Sequence, residues 1–271
     1  MGHYCGRTIL LMVGAIFCSG IVGGRDLWGQ AKTSFSWPVE KRMGIYRLHA
    51  TFSLPELPEV EQELLSLEKE LTEKLEIPFI KKDIHIYLFA YQSSYEAYLK
   101  EHFGELPYRR AMYVQGKNTS MVFVYYHPEL ITDLRHEATH AWLNNSFDSL
   151  PLWLDEGLAE YFEAPSAQGR QTKESELSDL FKKASPAATS LNYLKAKANL
   201  SDMVHDDYLL AYGWARFVLN EPSLLKSLKN YLKGRLATNP VGGEEFLTSQ
   251  EVDFWVDSFR KSIHKNVPFE K

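Results

Sequence analysis

The chain is poor in cysteine and has no excess of basic residues. Only Cys5 and Cys18 occur among 271 residues, so neither a disulfide framework nor a cysteine zinc site is available further along the chain. Thirty Lys and Arg residues against 35 Asp and Glu residues give a formal net charge of −5. This balance offers no electrostatic basis for holding nucleic acid, and we expect no nucleic-acid partner. Any metal ion must be held by histidine and carboxylate side chains.

Long apolar runs are also lacking, except near the N-terminus. Arg7 is followed by an apolar run of nine residues, 9–17, and then by small residues and glycines. Residues 1–31 are therefore interpreted as a secretory signal peptide. A membrane span needs about 20 apolar residues, so a cleaved signal peptide is favoured over a membrane anchor. If the apolar run is extended through Gly24, it is long enough for an uncleaved anchor, and that alternative stays open. We expect export to the periplasm, cell envelope or extracellular space, with membrane contact only if the segment stays uncleaved.

The mature chain, 32–271, has the pattern of an α+β fold. Alternating or β-branched stretches predict strands at 45–52, 84–89 and 121–126, and leucines at three- and four-residue steps predict a helix at 59–76. Further helices are predicted after Ser93 and at 129–144, 152–163, about 174–183, 206–219, 222–233 and 251–265. Strands followed by helices favour α+β over an alternating parallel sheet. We predict one domain with a small β-containing lobe at about 40–128 and a mainly helical lobe at 129–271.

One short motif carries a specific chemistry. His136-Glu137-Ala138-Thr139-His140 is an HExxH sequence within a predicted helix. Its histidines are one helical turn apart, so both imidazoles can reach one ion, while Glu137 lies on an adjoining face and can take a proton from water. Two surface histidines on a helix would give the same five-residue pattern, so the motif needs support from elsewhere in the chain.

That support comes from a second segment. HEATHAWLNN at 136–145 followed by WLDEGLAEYFE at 153–163 resembles the gluzincin zinc metallopeptidases, the relatives of thermolysin and aminopeptidase N, and within them a group of short secreted bacterial proteins. The resemblance covers about residues 129–163 and implies a zincin-like fold with one zinc ion held by His136, His140 and Glu156. It also implies that Glu137 is the general base of peptide hydrolysis. Glu156 follows His140 by sixteen residues, a shorter spacing than in those relatives.

Carboxylates near the motif are candidates to orient the zinc histidines. Glu160, one turn after Glu156, is the first choice because the thermolysin group has a carboxylate there. Asp155 and Glu163 compete with it, and Asp133 could act from the first helix, but Glu163 is more simply interpreted as a solvated carboxylate. Asn145 stands where the aminopeptidase group has an asparagine.

Peptide hydrolysis also needs a donor for the oxyanion that forms on the attacked carbonyl. Aminopeptidase relatives place a tyrosine in a downstream helix, and Tyr212 in the segment 208–219 is similar in outline. Tyr208, one turn earlier, and His205 are the alternatives. A core or interface tyrosine would fit the same pattern.

The expected substrate is a peptide or protein. The acidic motif with which aminopeptidases hold a free N-terminus is absent from the strand 120–126, and so is their large N-terminal domain. An endopeptidase is therefore expected, with 120–126 as an edge strand that pairs with an extended peptide.

Two alternatives stay open. One is a noncatalytic, envelope-associated module that keeps the fold and a structural or binding zinc. The other is an enzyme held latent by a mobile flap at 164–205. Tyrosines at 87, 91, 95 and 98 could line subsites, although core packing is favoured, and the pair Arg109-Arg110 is interpreted as solvated surface.

Overall fold

The computed structural model describes residues 11–12, 35–53, 57–77, 82–104, 108–116, 119–164, 167–237 and 245–265. Apart from Leu11 and Met12, the predicted signal peptide lies outside these ranges. The strands are β1 (Leu11–Met12), β2 (Val39–Met43), β3 (Tyr46–Ala50), β4 (Ile84–Phe89), β5 (Ala111–Gln115) and β6 (Ser120–Tyr125). The helices are α1 (Leu57–Leu75), α2 (Gln92–Phe103), α3 (Leu130–Ser146), α4 (Leu152–Phe162), α5 (Ala167–Lys183), α6 (Leu191–Lys195), α7 (His205–Asn220), α8 (Pro222–Lys233) and α9 (Ser249–Lys265), with a 3-10 turn at Leu200–Asp202.

The strands form one mixed sheet in the order β1-β5-β6-β4-β3-β2. The central strands β3, β4 and β6 are parallel, β2 is antiparallel to β3, and β5 is antiparallel to β6 but parallel to β1. The α+β class is confirmed, but the sheet contains a parallel centre because α1 connects β3 to β4 as a crossover. The prediction that 120–126 is an edge strand was wrong, since β6 lies between β4 and β5.

Both faces of the sheet are covered. Every residue of β6 is buried, as expected of a strand packed on two sides. One face packs against α1, whose buried positions are Val60, Leu64, Leu67, Leu71 and Leu75, and against α3. The other face packs against α2 through a smaller cluster around Phe89, Tyr95 and Phe123.

A continuous core joins the sheet to the helices that follow it. The larger core cluster contains residues of β3, β4 and β6 together with residues of α3, α4 and α7. The two predicted lobes therefore share one core. The predicted flap at 164–205 contains α5, α6 and the 3-10 turn, and Leu177 of α5 is fully buried. The α5 part of this range is thus packed rather than a loose flap.

Candidate metal centre

Helix α3 places the two motif histidines side by side. Thirteen of its 17 residues are buried, because it lies between the sheet and α4. His136 and His140 are 3% and 1% exposed, and their Nε2 atoms lie 3.2 Å apart. Two atoms that each lie about 2.0–2.1 Å from a tetrahedral zinc ion are about 3.3 Å apart. The spacing of these nitrogens fits one such ion.

Helix α4 brings Glu156 to the same point. Its Oε2 lies 3.8 Å from His136 Nε2, and its Oε1 lies 3.7 Å from His140 Nε2. The carboxylate is 1% exposed, and Oε2 has no hydrogen-bond partner among the described residues. A buried carboxylate oxygen without a donor is costly unless a cation satisfies it. The three residues named from the sequence therefore form one buried group whose ligand atoms lie within 4.8 Å of one another.

Close packing between α4 and α7 holds Glu156 in place. Gly157, the next residue, lies so near α7 that a Cβ added there would be 2.5 Å from the carbonyl oxygen of Ala211. A glycine at this position lets the two backbones approach, which any larger residue would prevent. The glycine of the DEGLA sequence is thus explained by helix packing, and it fixes the depth at which the Glu156 side chain sits.

Electrostatics within the group favour a bound cation. Burial lowers the pKa of His136, but the hydrogen bond and charge of Glu163 outweigh it, so the pKa is raised. Burial also lowers the pKa of His140, but the Asp155 and Glu156 carboxylates outweigh this effect, so the pKa of His140 is raised as well. Burial raises the pKa of Glu156. Excess negative charge around the imidazoles therefore attracts either protons or a metal ion to their Nε2 atoms.

Two carboxylates fix the orientation of the imidazoles. His136 Nδ1 donates to Glu163 Oε2 at 2.6 Å, and His140 Nδ1 donates to Asp155 Oδ2 at 2.9 Å. Because a carboxylate accepts, the ring hydrogen lies on Nδ1 and Nε2 is left with a lone pair for a metal. The prediction of Asp155 in this role is supported by the contact.

The contact to His136 comes from Glu163 and not from the first choice, Glu160. Glu163 lies one residue beyond the end of α4 and is 2% exposed, so the interpretation as a solvated carboxylate was wrong. Glu160 is also buried, and its carboxylate binds the ammonium group of Lys173 from α5. Lys173 Nζ also lies 2.7 Å from Glu163 Oε1.

Lys173 distinguishes the two groups of candidate metal ligands. His136, Glu160 and Glu163 form a second set of three ligand atoms within 4.8 Å of one another. Because Lys173 already supplies a positive charge to both carboxylates, a metal ion there would meet electrostatic repulsion. Among the residues that the structure describes, no lysine forms an ion pair with Glu156, so the group of His136, His140 and Glu156 is the better candidate.

Two other predicted residues lie beside the group. Asn145 is buried, and its Oδ1 accepts from Ser120 Oγ at 2.5 Å, which ties the end of α3 to the start of β6. Asp133 binds Arg110 at 2.8 Å. We therefore interpret Asn145 and Asp133 as residues that fix α3 against the sheet.

The carboxylate of Glu137 points toward the outer strand of the sheet. It is 3% exposed, and its Oε2 accepts from the backbone N–H of Tyr113 in β5 at 2.8 Å. The side chain is therefore held by both α3 and β5, and it is not part of the group of ligand atoms formed by His136, His140 and Glu156. This arrangement is compatible with a base that acts beside a metal ion rather than binding it.

The three candidate oxyanion donors lie at different depths on α7. The ring of Tyr212 is fully buried, with Lys173 Nζ 5.2 Å from its centroid, and its hydroxyl has no hydrogen-bond partner among the described residues. The charged groups that act on that hydroxyl are Arg216, Glu174 and Arg170, which belong to α7 and α5. Tyr212 thus faces α5.

Tyr208 and His205 lie toward the start of α7. Tyr208 is one turn before Ala211, the residue that touches Gly157, and is 6% exposed. His205 is the first residue of the helix and is exposed. The position of Tyr208 beside the Glu156–Gly157 segment makes it the stronger candidate of the three.

Arg109 was missed as a site residue by the sequence interpretation. The pair Arg109-Arg110 was interpreted as solvated surface, but the Nε and Nη1 atoms of Arg109 are buried, and Arg110 is bound to Asp133 and Glu129. Arg109 lies two residues before β5 in a loop, where no periodicity marks a side chain as buried. The tyrosines considered as subsite residues differ in burial, since Tyr95 is buried in the α2 cluster and Tyr91 is 71% exposed.

Comparison with known proteins does not assign this chain to a family. No model of a known protein family and no curated protein matches the chain. No helix in the part of the chain that the structure describes combines the length and apolar character required to cross a bilayer.

Proposed function

We propose that this protein is a zinc-dependent metallopeptidase. The observation that carries the proposal is the buried convergence of His136, His140 and Glu156, with Glu137 beside them. The first three supply a metal-binding donor set, and the fourth supplies a base that the metal does not need as a ligand. The gluzincin resemblance names the same four residues in the same roles.

The donor chemistry supports zinc. Two imidazole nitrogens and one carboxylate form a set that catalytic zinc sites use, with a fourth position left for water. The described residues offer no thiolate at this site, which agrees with the lack of cysteine beyond residue 18. When bound, zinc supplies a Lewis acid for a peptide carbonyl and lowers the pKa of a water molecule.

The protein's own groups supply proton transfer and orientation. Glu137 would accept a proton from the attacking water and pass it to the leaving amine. Its hydrogen bond to Tyr113 N–H holds one carboxylate oxygen, and with it the side chain, in a fixed position. Tyr208 would donate to the oxyanion, with Tyr212 and His205 as the weaker alternatives.

The outer strand β5 would bind the peptide backbone. Among the described residues, β1 pairs only with Val114 and Gln115 of β5, so Ala111–Tyr113 have no strand beside them on the side away from β6. An extended peptide can pair with such an edge, and Tyr113 places it next to Glu137. Binding of an extended peptide along a strand favours an endopeptidase over an aminopeptidase. Strand β5 would then pair with the peptide as was expected for 120–126. The N-terminal pattern supports an exported protein.

The test is metal content and peptide cleavage measured on the same samples. The mature chain is purified as wild type, Glu137→Gln and His140→Ala, with Glu96→Gln on the exposed surface of α2 as the matched control. Elemental mass spectrometry gives zinc per chain, and a mixed peptide library analysed by mass spectrometry gives cleavage.

We expect one zinc in wild type, Glu137→Gln and Glu96→Gln, and none in His140→Ala. Cleavage should occur in wild type and Glu96→Gln alone. One zinc without any cleavage would contradict the enzyme and favour the noncatalytic zinc module, or latency if limited proteolysis then released activity. A wild-type chain that binds no zinc would contradict the metal centre itself.

A further inference from the structure

Arg109 has buried donors for which the described part of the chain offers no hydrogen-bond acceptor. Its side chain is half-buried, and the Nε and Nη1 atoms are shielded from solvent without a hydrogen-bond partner among the described residues. A guanidinium group has five N–H donors and stays protonated at any ordinary pH. Burying such donors without acceptors costs free energy, so their presence points to an acceptor that is not part of the chain.

The adjacent arginine shows that pairing is available nearby. Arg110 lies 2.8 Å from Asp133 and 3.1 Å from Glu129. Arg109 is the preceding residue, yet the groups whose charges act on it include Glu137 and Glu156 and not Asp133 or Glu129. A purely structural arginine would be expected to share in this network, as Arg110 does.

The surroundings of Arg109 belong to the candidate metal centre. Burial lowers the pKa of Arg109, and Tyr208, Glu137 and Glu156 act against that effect through their charges. The position on the chain agrees, because Arg109 is four residues before Tyr113, whose N–H binds Glu137. The Arg109 cation therefore lies just before β5, near enough to Glu137 and Glu156 for their charges to act on it.

The acids near Arg109 have other partners. Glu137 accepts from Tyr113 N–H, and Glu156 belongs to the proposed metal-binding group. Tyr108 and Tyr125 are hydrogen-bonded to each other at 2.7 Å, and burial raises the pKa of Tyr95, so the phenol of Tyr95 is neutral. A ligand that brings its own anion would satisfy the buried donors of Arg109.

We propose that Arg109 binds a carboxylate of the peptide substrate. The inference rests on the proposed peptidase function, since carboxylates are the anionic groups that an ordinary peptide offers. The carboxylate comes either from the substrate's C-terminus or from an Asp or Glu side chain. In both cases the protein prefers substrates with a negative charge close to the cleaved bond.

A charged acceptor explains the arginine better than a peptide carbonyl does. Charge-assisted hydrogen bonds between guanidinium and carboxylate are stronger than those to neutral oxygens, and their planar groups match. A partly buried position strengthens the attraction further, because solvent screens it less. Arg109 is then a residue that determines specificity, while Glu137 retains the proton transfer.

The experiment compares matched peptides on matched variants. Arg109→Gln and Arg109→Lys are tested against wild type, with Arg110→Gln as the control for removing a charge from the same loop. Zinc content and far-UV circular dichroism are measured first on each. Each library peptide that wild type cleaves is then made with a free or an amidated C-terminus, and with Asp or Glu replaced by Asn or Gln.

We expect wild type to prefer the charged form of one peptide pair by about 10- to 100-fold in kcat/KM, the range of one charge-assisted hydrogen bond. Arg109→Gln should lose this preference by slowing the charged form alone, and Arg109→Lys should recover part of it. Arg110→Gln should keep it. The free versus amidated pair reports a C-terminal carboxylate, and the Asp or Glu series reports a side chain.

Three results would overturn the inference while leaving the peptidase intact. They are no charge preference in wild type, an equal loss on charged and neutral peptides in Arg109→Gln, and an equal loss of preference in Arg110→Gln. If zinc-loaded wild type cleaves no peptide, the proposed function fails by itself. Calorimetric binding of the paired peptides to zinc-loaded Glu137→Gln then decides the role of Arg109, and equal or absent binding of both forms contradicts it.

Discussion

At the scale of single residues, the carboxylates that contact the histidines shape the candidate metal centre as much as its candidate ligands do. Asp155 and Glu163 hold the Nδ1 atoms of His140 and His136 at 2.9 and 2.6 Å. Each contact selects the tautomer whose Nε2 faces the other ligands. Such partners orient the ring and increase its basicity, and their loss generally weakens metal binding by about 10- to 100-fold.

We therefore predict that Asp155→Asn and Glu163→Gln each weaken zinc binding by about 10- to 100-fold. The amide keeps the shape of the side chain but removes the charge that favours the metal-binding tautomer. Competition with a chromogenic chelator gives the dissociation constant. Asp148→Asn, an exposed acid close to α4 in sequence, is the control and should bind zinc as wild type does. Unchanged affinity in both variants would mean that these contacts do not act on the metal site.

The sequence predicts the candidate metal ligands better than the carboxylates that orient them. His136, His140 and Glu156 follow from helical spacing and the gluzincin resemblance, and the structure brings them together. Glu163 was only an alternative to Glu160, because spacing alone does not show which of two carboxylates one turn apart reaches the His136 ring. Arg109 was interpreted as solvated surface because it lies in a loop before a strand, where no periodicity marks a buried side chain.

At the scale of elements, the contact between α4 and α7 sets the position of Glu156. A Cβ at Gly157 would lie 2.5 Å from Ala211 O and 3.0 Å from Ala215 Cβ, so Gly157→Ala must push the helices apart. We predict a loss of about 1–3 kcal/mol in the free energy of unfolding, as for other overpacked sites. Zinc affinity should fall as well, because Glu156 moves with α4. Urea unfolding and chelator competition measure the two effects.

The matched control is Gly234→Ala at the end of α8. Gly234 has an ordinary helical φ of −74°, and its nearest atom to an added Cβ is 3.5 Å away. Alanine there should leave stability unchanged or raise it by up to about 1 kcal/mol, because it restricts the unfolded chain. An equal loss in both variants would show that close approach at Gly157 is not the cause.

A pair of histidines on neighbouring strands makes stability depend on pH. His49 Nε2 of β3 and His85 Nδ1 of β4 are 3.1 Å apart, and Glu40 Oε1 lies 3.5 Å from His49 Nδ1. Burial lowers the pKa of both imidazoles, Glu40 and Asp83 act in the opposite direction, and Arg47 adds to the lowering. The unfolded chain, with ordinary pKa values of about 6.5, therefore binds more protons than the folded chain in mild acid.

We predict that this pair does not change the free energy of unfolding with pH above about pH 7. As the pH drops through about 6.5 and below, the pair lowers the free energy of unfolding. His85→Gln should reduce that fall, because it removes one of the two groups. Urea unfolding between pH 5 and 8 gives the slope, and His205→Gln, an exposed histidine, is the control. A slope in His85→Gln equal to that of wild type would contradict the assignment.

The sequence predicts the elements with clear periodicity and misses those without it. Strand β4 and helix α1 lie where alternation and leucine spacing place them, within two residues. Strand β2 was missed because Glu40, Lys41 and Arg42 in its middle are exposed, so no apolar pattern marks it. Strand β5 was missed because four of its five residues are buried, which removes alternation.

At the scale of the whole molecule, the candidate metal centre is part of the common core. Fully buried Arg135, one residue before His136, donates to Phe162 O at the end of α4 and binds Glu63 and Glu70 of α1. The same segment of α3 therefore joins α1, α4 and the metal ligands. No sequence pattern reveals this connection, because it joins residues about 70 positions apart. We therefore expect the arrangement of the candidate ligands to be lost when the whole domain unfolds, and not before.

We predict that zinc raises the stability of the whole domain. Free zinc at 100 times its dissociation constant should add about 2.7 kcal/mol, because the metal binds the folded state alone. For a domain of this size that corresponds to a rise in Tm of roughly 5–11 °C. Scanning calorimetry of the mature chain in zinc and in chelator measures the rise. Glu137→Gln should show it in full, since Glu137 is not a ligand, whereas His140→Ala should not show it. An equal rise in His140→Ala would mean that zinc stabilises the protein at a different site.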